Sequence, residues 1–186
     1  FEDKAAFREN TREVVKLVSE YVRAHPEVGY VVVASSTGFT GAQFARADLG
    51  GARLVAVKMS PAVDAIYKVK LDPEHVRVLE EKGVPLVMGT HAITGGVDHA
   101  LEEKLHGLPP TRLIANVLYL FSQGMKVSVE VVLMAADAGL IGVDREVVAI
   151  AGTGEGADTV IVVKPAYPRN FQEFEIREIL AKPRHP

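Results

Sequence analysis

The residues best suited to chemistry lie between positions 35 and 41. Ser35, Ser36, Thr37 and Thr40 supply hydroxyls, Gly38 and Gly41 leave the main chain approachable, and Phe39 adds an aromatic face. The run Val31-Val32-Val33 stands just before them and a helix-compatible segment, Gly41 to Ala47, follows. A bend between a strand end and a helix start presents unpaired backbone N–H groups, which suit an anion. Thr40 or Gly41 would cap that helix. The expected ligand therefore carries a phosphate. Phe39 would either pack into the core or flank a ring.

Three further stretches would join this bend. Ser60 follows a second apolar run, His91 and Thr94-Gly95 follow a third, and Gly152-Thr153-Gly154 follows a fourth. An imidazole at His91 could bind phosphate, act as acid or base, or serve a backbone group. Glu130 and Asp137 are seven residues apart in an apolar segment, which puts them on nearly one helix face. A carboxylate among Val129, Val131 and Val132 is costly to bury alone. The two either lie at the helix's exposed edge or cap neighbouring loops, or one of them faces the ligand cleft or clamps a loop backbone. His91, Glu130 and Asp137 are the candidate acid–base residues. Asp158 fits a turn former that orders the glycine loop before it.

Several chemistries find no support. There is no cysteine, no G-x-S-x-G elbow and no G-x-x-x-x-G-K-[ST] loop. The six histidines lack metal-ligand spacing, so no metal is expected.

The elements that must position these residues alternate. Asn10-Thr11 precede an amphipathic helix carrying Val14, Leu17, Val18, Tyr21 and Val22, with Thr11 as the expected N-cap and His25-Pro26 as the stop. Strands are expected at Tyr30 to Ala34, Arg53 to Lys58 and Pro85 to Met88. Helices are expected at Glu74 to Lys82, Val97 to Leu105, Thr111 to Phe121 and Lys126 to Ala138. Val147 to Ala151 and Thr159 to Lys164 read as a hairpin, so one strand runs against its neighbours. Residues 62–71 fit no element, and the tail from Phe171 to Ala181 reads as helix or edge strand. Such alternation implies a mostly parallel sheet with helices on both faces, in one domain over 1–186. Ligands of such sheets lie at the C-terminal strand ends, where the Ser35, Ser60 and His91 loops would all emerge.

Composition narrows the partners. The chain has 186 residues, a formal net charge of −3 and 48% hydrophobic residues. Nothing in this balance favours nucleic acid. The longest apolar candidate for a membrane span, Val127 to Ile141, is broken by Glu130 and Asp137. With no signal-like apolar region near residue 1, the expectation is a cytoplasmic protein with no membrane partner. Asn and Gln are as scarce as Cys is absent, a pattern of thermophilic proteins and of Ala- and Val-rich proteomes alike.

Two resemblances attach to these residues. Ser35-x-Thr37-Gly38-x-Thr40 is similar to the S/T-x-T-G-x-T loop with which flavodoxins hold the FMN phosphate, which implies FMN as a cofactor. More broadly, the Val-rich strand, the Ser-Ser-Thr-Gly-Phe-Thr loop, its helix and Leu54-Val55-Ala56-Val57 resemble the C-terminal domain of pyruvate kinase. There the loop and the closing hairpin, matched here by Val147 to Gly152 and Thr159 to Val163, surround effector phosphates. The resemblance narrows to stand-alone archaeal and bacterial proteins described as pyruvate kinase alpha/beta-domain-like, through Glu9-Asn10-Thr11, His91, Thr94-Gly95, Val129-Glu130 to Gly139, Gly156 to Thr159 and Asn170-Phe171. It implies a three-layer α/β/α domain with a mixed, mostly parallel five-stranded sheet and one antiparallel strand. It does not extend to the kinase's catalytic barrel, so pyruvate kinase activity is not implied. Gly154-Glu155-Gly156 places an acid where phosphate would prefer a base, which argues against a sugar bisphosphate. Binding of FMN or another phosphorylated molecule is the first expectation. An enzyme acting on a phosphorylated metabolite is the second, and a regulatory or assembly module, forming a homo-oligomer, is the third.

Overall fold

In a computed structural model, which describes residues 4–185, the chain forms a six-stranded mixed sheet covered by helices on both faces. In chain order the elements are α1 (Lys4–Ala24), β1 (Val28–Ala34), α2 (Phe39–Ala45), β2 (Arg53–Lys58), α3 (Pro61–Tyr67), α4 (Pro73–Glu81) and β3 (Leu86–Met88). Then come α5 (Val97–Leu105), α6 (Pro110–Tyr119), α7 (Gln123–Asp137), β4 (Glu146–Ala151), β5 (Thr159–Lys164), a 3-10 turn (Pro168–Glu173) and β6 (Glu175–Ala181). The strand order is β3-β2-β1-β4-β5-β6. The first four strands are parallel, and β5 is antiparallel to both β4 and β6.

Alternation along the strands builds two cores. Val31, Val33, Ala56, Val148 and Ile150 point to the layer of α1, α2 and α4, where they meet Val18, Phe44 and Leu79. Val32, Val55, Val57, Val147 and Ala149 point to the other layer, against Met125, Val129 and Leu133 of α7 and Ala115 of α6. A strand covered on both faces needs apolar residues at every position, which is why β1 reads as an unbroken valine run.

The structure adds a sixth strand to the five expected. β6 was ambiguous because its first five residues are exposed, so no face imposes an apolar period. It is held at the edge by pairing with β5, and Arg177 reaches Glu146 and Glu175. Residues 61–67, left without an element, form the short helix α3. Thr11 is not an N-cap: α1 begins seven residues earlier. Thr11 is fully buried inside that helix; its hydroxyl donates to the Phe7 carbonyl at 2.7 Å and accepts the Ala157 N–H at 2.9 Å. Nor is Thr40 or Gly41 the cap of α2. Gly38 takes that position at φ 88°, a left-handed conformation that glycine adopts without penalty.

Candidate functional site

The parallel arrangement brings the Ser35, Ser60 and His91 loops to the C-terminal edge of β1, β2 and β3. The Gly152 loop follows β4 on the same edge. The four loops differ in what their polar groups do.

Around Ser35 most of those groups serve the chain itself. The Ser35 hydroxyl is buried and accepts the Gly41 N–H at 2.9 Å. The Ser35 N–H donates to the Val57 carbonyl, and the Gly38 N–H to the Ser35 carbonyl. A Cβ on Gly38 would come within 2.7 Å of His75 Cβ, so α4 closes the bend from above. The Asp72 N–H donates to the Thr37 carbonyl at 3.0 Å. Phe39 lies edge-on to His75, under the Arg8 guanidinium, and is mostly buried. Thr40 is buried as well. Among the described residues, only the Ser36, Thr37 and Thr40 N–H groups of this bend find no acceptor in the chain.

Beside it, β2 ends on a buried lysine. Lys58 is 4% exposed and ion-paired with Asp64 of α3; burial lowers its pKa. Ser60, two residues beyond β2, ties it to the next loop. Ser60 caps α3, its hydroxyl accepting the Val63 N–H at 3.4 Å, and the Ser60 N–H donates to His91 Nε2 at 3.2 Å.

That bond defines the state of His91. A backbone N–H can only donate, so Nε2 carries no proton and the ring is held as the neutral Nδ1–H tautomer. Nδ1 faces Glu130 Oε2 at 3.6 Å. Burial pushes the His91 pKa down, against the pull of the Glu130 carboxylate. Glu130, in turn, is a clamp. Its Oε1 accepts the Ile93 and Thr94 N–H groups, each at 3.0 Å, and its Oε2 pairs with Lys126. Both charges are about 3% exposed, and burial lowers the Lys126 pKa. Thr94 thus contributes its main chain, not its hydroxyl, to this network. Lys126 went unnoticed in the sequence, although its position four residues before Glu130 on one helix was the available signal.

Asp137 does not join this group. The seven-residue spacing does give it nearly the same face as Glu130, but it lies about 10 Å further along α7, at the last residue and exposed. Its neighbours Ala135 and Ala136 are fully buried, so the exposure starts at Asp137 itself. The Glu130–Asp137 pair is therefore not a shared acid–base site.

The glycine loop is pinned from both ends. The Thr153 N–H donates to Asp158 Oδ2 at 2.9 Å, and Thr159 Oγ1 donates to Asp158 Oδ1 at 2.6 Å. Ser122, which caps α7 by accepting the Met125 N–H, lies 3.0 Å from Thr159 Oγ1. Gly152 packs so closely that a Cβ would sit 2.7 Å from the Gly156 carbonyl oxygen, while Gly154 is exposed at the loop tip.

Open space lies elsewhere on the same edge. A cleft of about 590 Å³ runs between the start of α3 and the start of α5. Ser60, Ala62, Gly89, Thr90, Gly96 and Val97 are among its walls. Gly95, at φ 101°, turns the chain into α5; the main chain lies open at Gly89, whereas at Gly96 it is covered by Thr90 and its N–H donates to Asp98 Oδ1 at 3.2 Å. No acceptor within the described chain takes the Ala62 or Val97 N–H. The His91–Glu130–Lys126 network supports this cleft, because it fixes Ser60 on one wall and residues 93–94 just before Gly95 and Gly96 of the other. Of the expected ligand residues, only Ser60 lies on it, with His91 and Thr94 behind. A second cleft, of about 400 Å³, lies at the opposite edge between Gly50, Arg53, Lys82 and Pro85.

Among the described residues no group of three His, Asp or Glu converges as a metal site. No helix among the described residues is long and apolar enough to cross a membrane. No model of a known protein family matches the chain.

Proposed function

We propose that this protein binds a small phosphorylated molecule at the C-terminal edge of its sheet, with the phosphate in the cleft between α3 and α5. The observation that carries this reading is the meeting of two helix starts across an open, glycine- and hydroxyl-lined space. Helix N-termini attract anions through their unpaired N–H groups and the positive end of the helix dipole. The Ser60 and Thr90 hydroxyls add donors, and Gly89 lets an anion reach the main chain.

Of the two hydroxyl- and glycine-bearing loops on this edge, the geometry favours the Ser60–Gly96 pair. The Ser35 to Gly41 bend retains three unpaired N–H groups but has spent its Ser35 hydroxyl and Gly41 N–H on each other. The flavodoxin-like loop that points to FMN is the Ser35 bend, so inorganic phosphate is the first probe of the α3–α5 cleft and FMN is the probe that separates the two loops. Binding is favoured over turnover because His91 and Glu130 have their polar atoms committed to the chain, which leaves no free acid–base pair.

Titration of the purified protein with inorganic phosphate and with FMN, followed by calorimetry and visible absorbance, tests the reading. Ala100→Glu places a carboxylate on the cleft wall, at an exposed helical position. It should weaken binding at least about tenfold, the effect of 1.4 kcal/mol of like-charge repulsion. Thr37→Glu should leave affinity within about twofold. The reverse pattern would move the phosphate to the Ser35 bend. Saturable binding of neither probe would retire the proposal.

A further inference from the structure

Helix α5 is built inside out. Its polar residues face its neighbour α6: Asp98 Oδ2 accepts from the Thr111 hydroxyl at 2.7 Å, and Glu102 pairs with the Arg112 guanidinium at 2.9 Å. His99 Nδ1 lies 2.8 Å from Arg112 Nη2, completing a charged seam between the two helices. The apolar residues Val97, Leu101 and Leu105, spaced i, i+4, i+8, are left in solvent at 77, 50 and 68% exposure. No residue of α5 is buried. On α6 the same happens on the side away from α7: Leu113 and Val117 are at least half exposed, and Leu120, just past the helix end, is 76% exposed. A surface helix of a monomer turns its apolar stripe inward. Here α5 turns its stripe out, and α6, whose Ile114, Ala115 and Leu118 face the core, carries a second stripe on its outer side.

We infer that the apolar stripes of α5 and α6 form the interface through which two copies of this chain associate. Three observations favour a second copy as the occupant. The exposed parts of these six side chains amount to on the order of 600 Å², the upper end for an apolar patch on a monomer and close to the ~800 Å² each partner contributes to a standard interface. The whole chain exposes 9967 Å², against roughly 8,700 Å² for a folded monomer of its mass. The excess, about 1,200 Å², is larger than one such face. Beside the stripes Glu102 is already paired with Arg112, and α5 carries Lys104 as well as Asp98 and Glu103, so two identical faces meeting about a two-fold axis can set opposite charges against each other. Val97 belongs to the stripe and to the wall of the α3–α5 cleft, so a second copy seated here borders the proposed ligand site. The inference does not depend on what that cleft binds.

Sedimentation equilibrium of the full chain tests it, without added ligand. The protein should sediment as a dimer at tens of micromolar. Leu101→Asp combined with Val117→Asp should sediment as a monomer at the same concentration, a shift in dissociation constant of at least a hundredfold. Both positions are half exposed in the single chain, so its far-UV circular dichroism should not change. Should the double variant misfold, Leu105→Lys and Leu113→Lys, made singly, are expected each to weaken the dimer at least tenfold. A wild-type chain that stays monomeric at 100 µM overturns the inference. So does a dimer indifferent to all these variants, or a monomeric chain that floats with phosphatidylcholine vesicles through the same residues. Ligand titrations of the monomeric double variant separate a failure here from a failure of the proposed function.

Discussion

At the scale of single residues, the site depends on a buried ionic cluster that the chain uses on itself. Glu130 is surrounded by donors: two backbone N–H groups, the Lys126 ammonium and the Nδ1 edge of His91. Removing one partner of a buried pair leaves the other charge uncompensated, which usually costs more than the pair contributes. His91 makes this cluster sensitive to pH. Its Nε2 accepts the Ser60 N–H, and protonation there would set two donors against each other. Burial holds its folded-state pKa below the ordinary value of about 6.5. The unfolded chain therefore takes up the proton first as pH falls. The stability His91 contributes is present above about pH 6.5 and is lost as pH falls below it, towards the folded pKa. Urea denaturation at pH 7.5, 6.5 and 5.5 should show the wild type losing stability faster than His91→Gln across that window. Equal slopes would mean that His91 ionises freely in the folded chain and does not anchor Ser60.

At the scale of elements, what could be read from the chain tracks burial. β1, β2, β4 and β5 announce themselves because two covered faces demand apolar residues without a gap. β6 has no covered face in its first five residues, and only pairing with β5 makes it a strand. Glu130 and His91 stood out as chemistry-bearing residues, yet they are 39 positions apart and nothing local joins them. Helical spacing assigned Glu130 and Asp137 to one face but carries no information about depth, so it does not show that Asp137 is exposed while Met134, Ala135 and Ala136 of the same turn are buried. Thr11 shows the opposite case. Its type and its neighbour Asn10 suggested a helix start, whereas its hydroxyl connects the middle of α1 to the glycine loop between β4 and β5. Thr11→Val keeps the shape and removes that connection. The Ala157 N–H, buried against α1, would lose its acceptor, at a cost of about 1–3 kcal/mol. Chemical denaturation measures this directly. A change under about 0.5 kcal/mol would show that water or a loop shift replaces the hydroxyl.

At the scale of the molecule, stability and openness are segregated. β1, β4 and β5 are buried on both faces, and twelve residues of α7 are buried against them. α3 and α5, the two walls of the cleft, bury none. Local opening is easiest where little apolar surface must be exposed, and the elements that move on binding come from that end of the range. Hydrogen exchange should therefore give the slowest amides in β1, β4, β5 and the middle of α7, and the fastest helical amides in α3 and α5. The same measurement separates the two sources of cover. Saturating phosphate ligand should slow α3 and the first turn of α5 together, because both line the cleft. Self-association should instead slow α5 and α6 as protein concentration rises, and leave α3 unchanged apart from residues bordering Val97. If α3 and α5 exchange as slowly as the central strands in the free monomer, the cleft is part of the rigid core. Ligand entry would then demand opening on the scale of global unfolding, and a binding role for this edge would lose its physical basis.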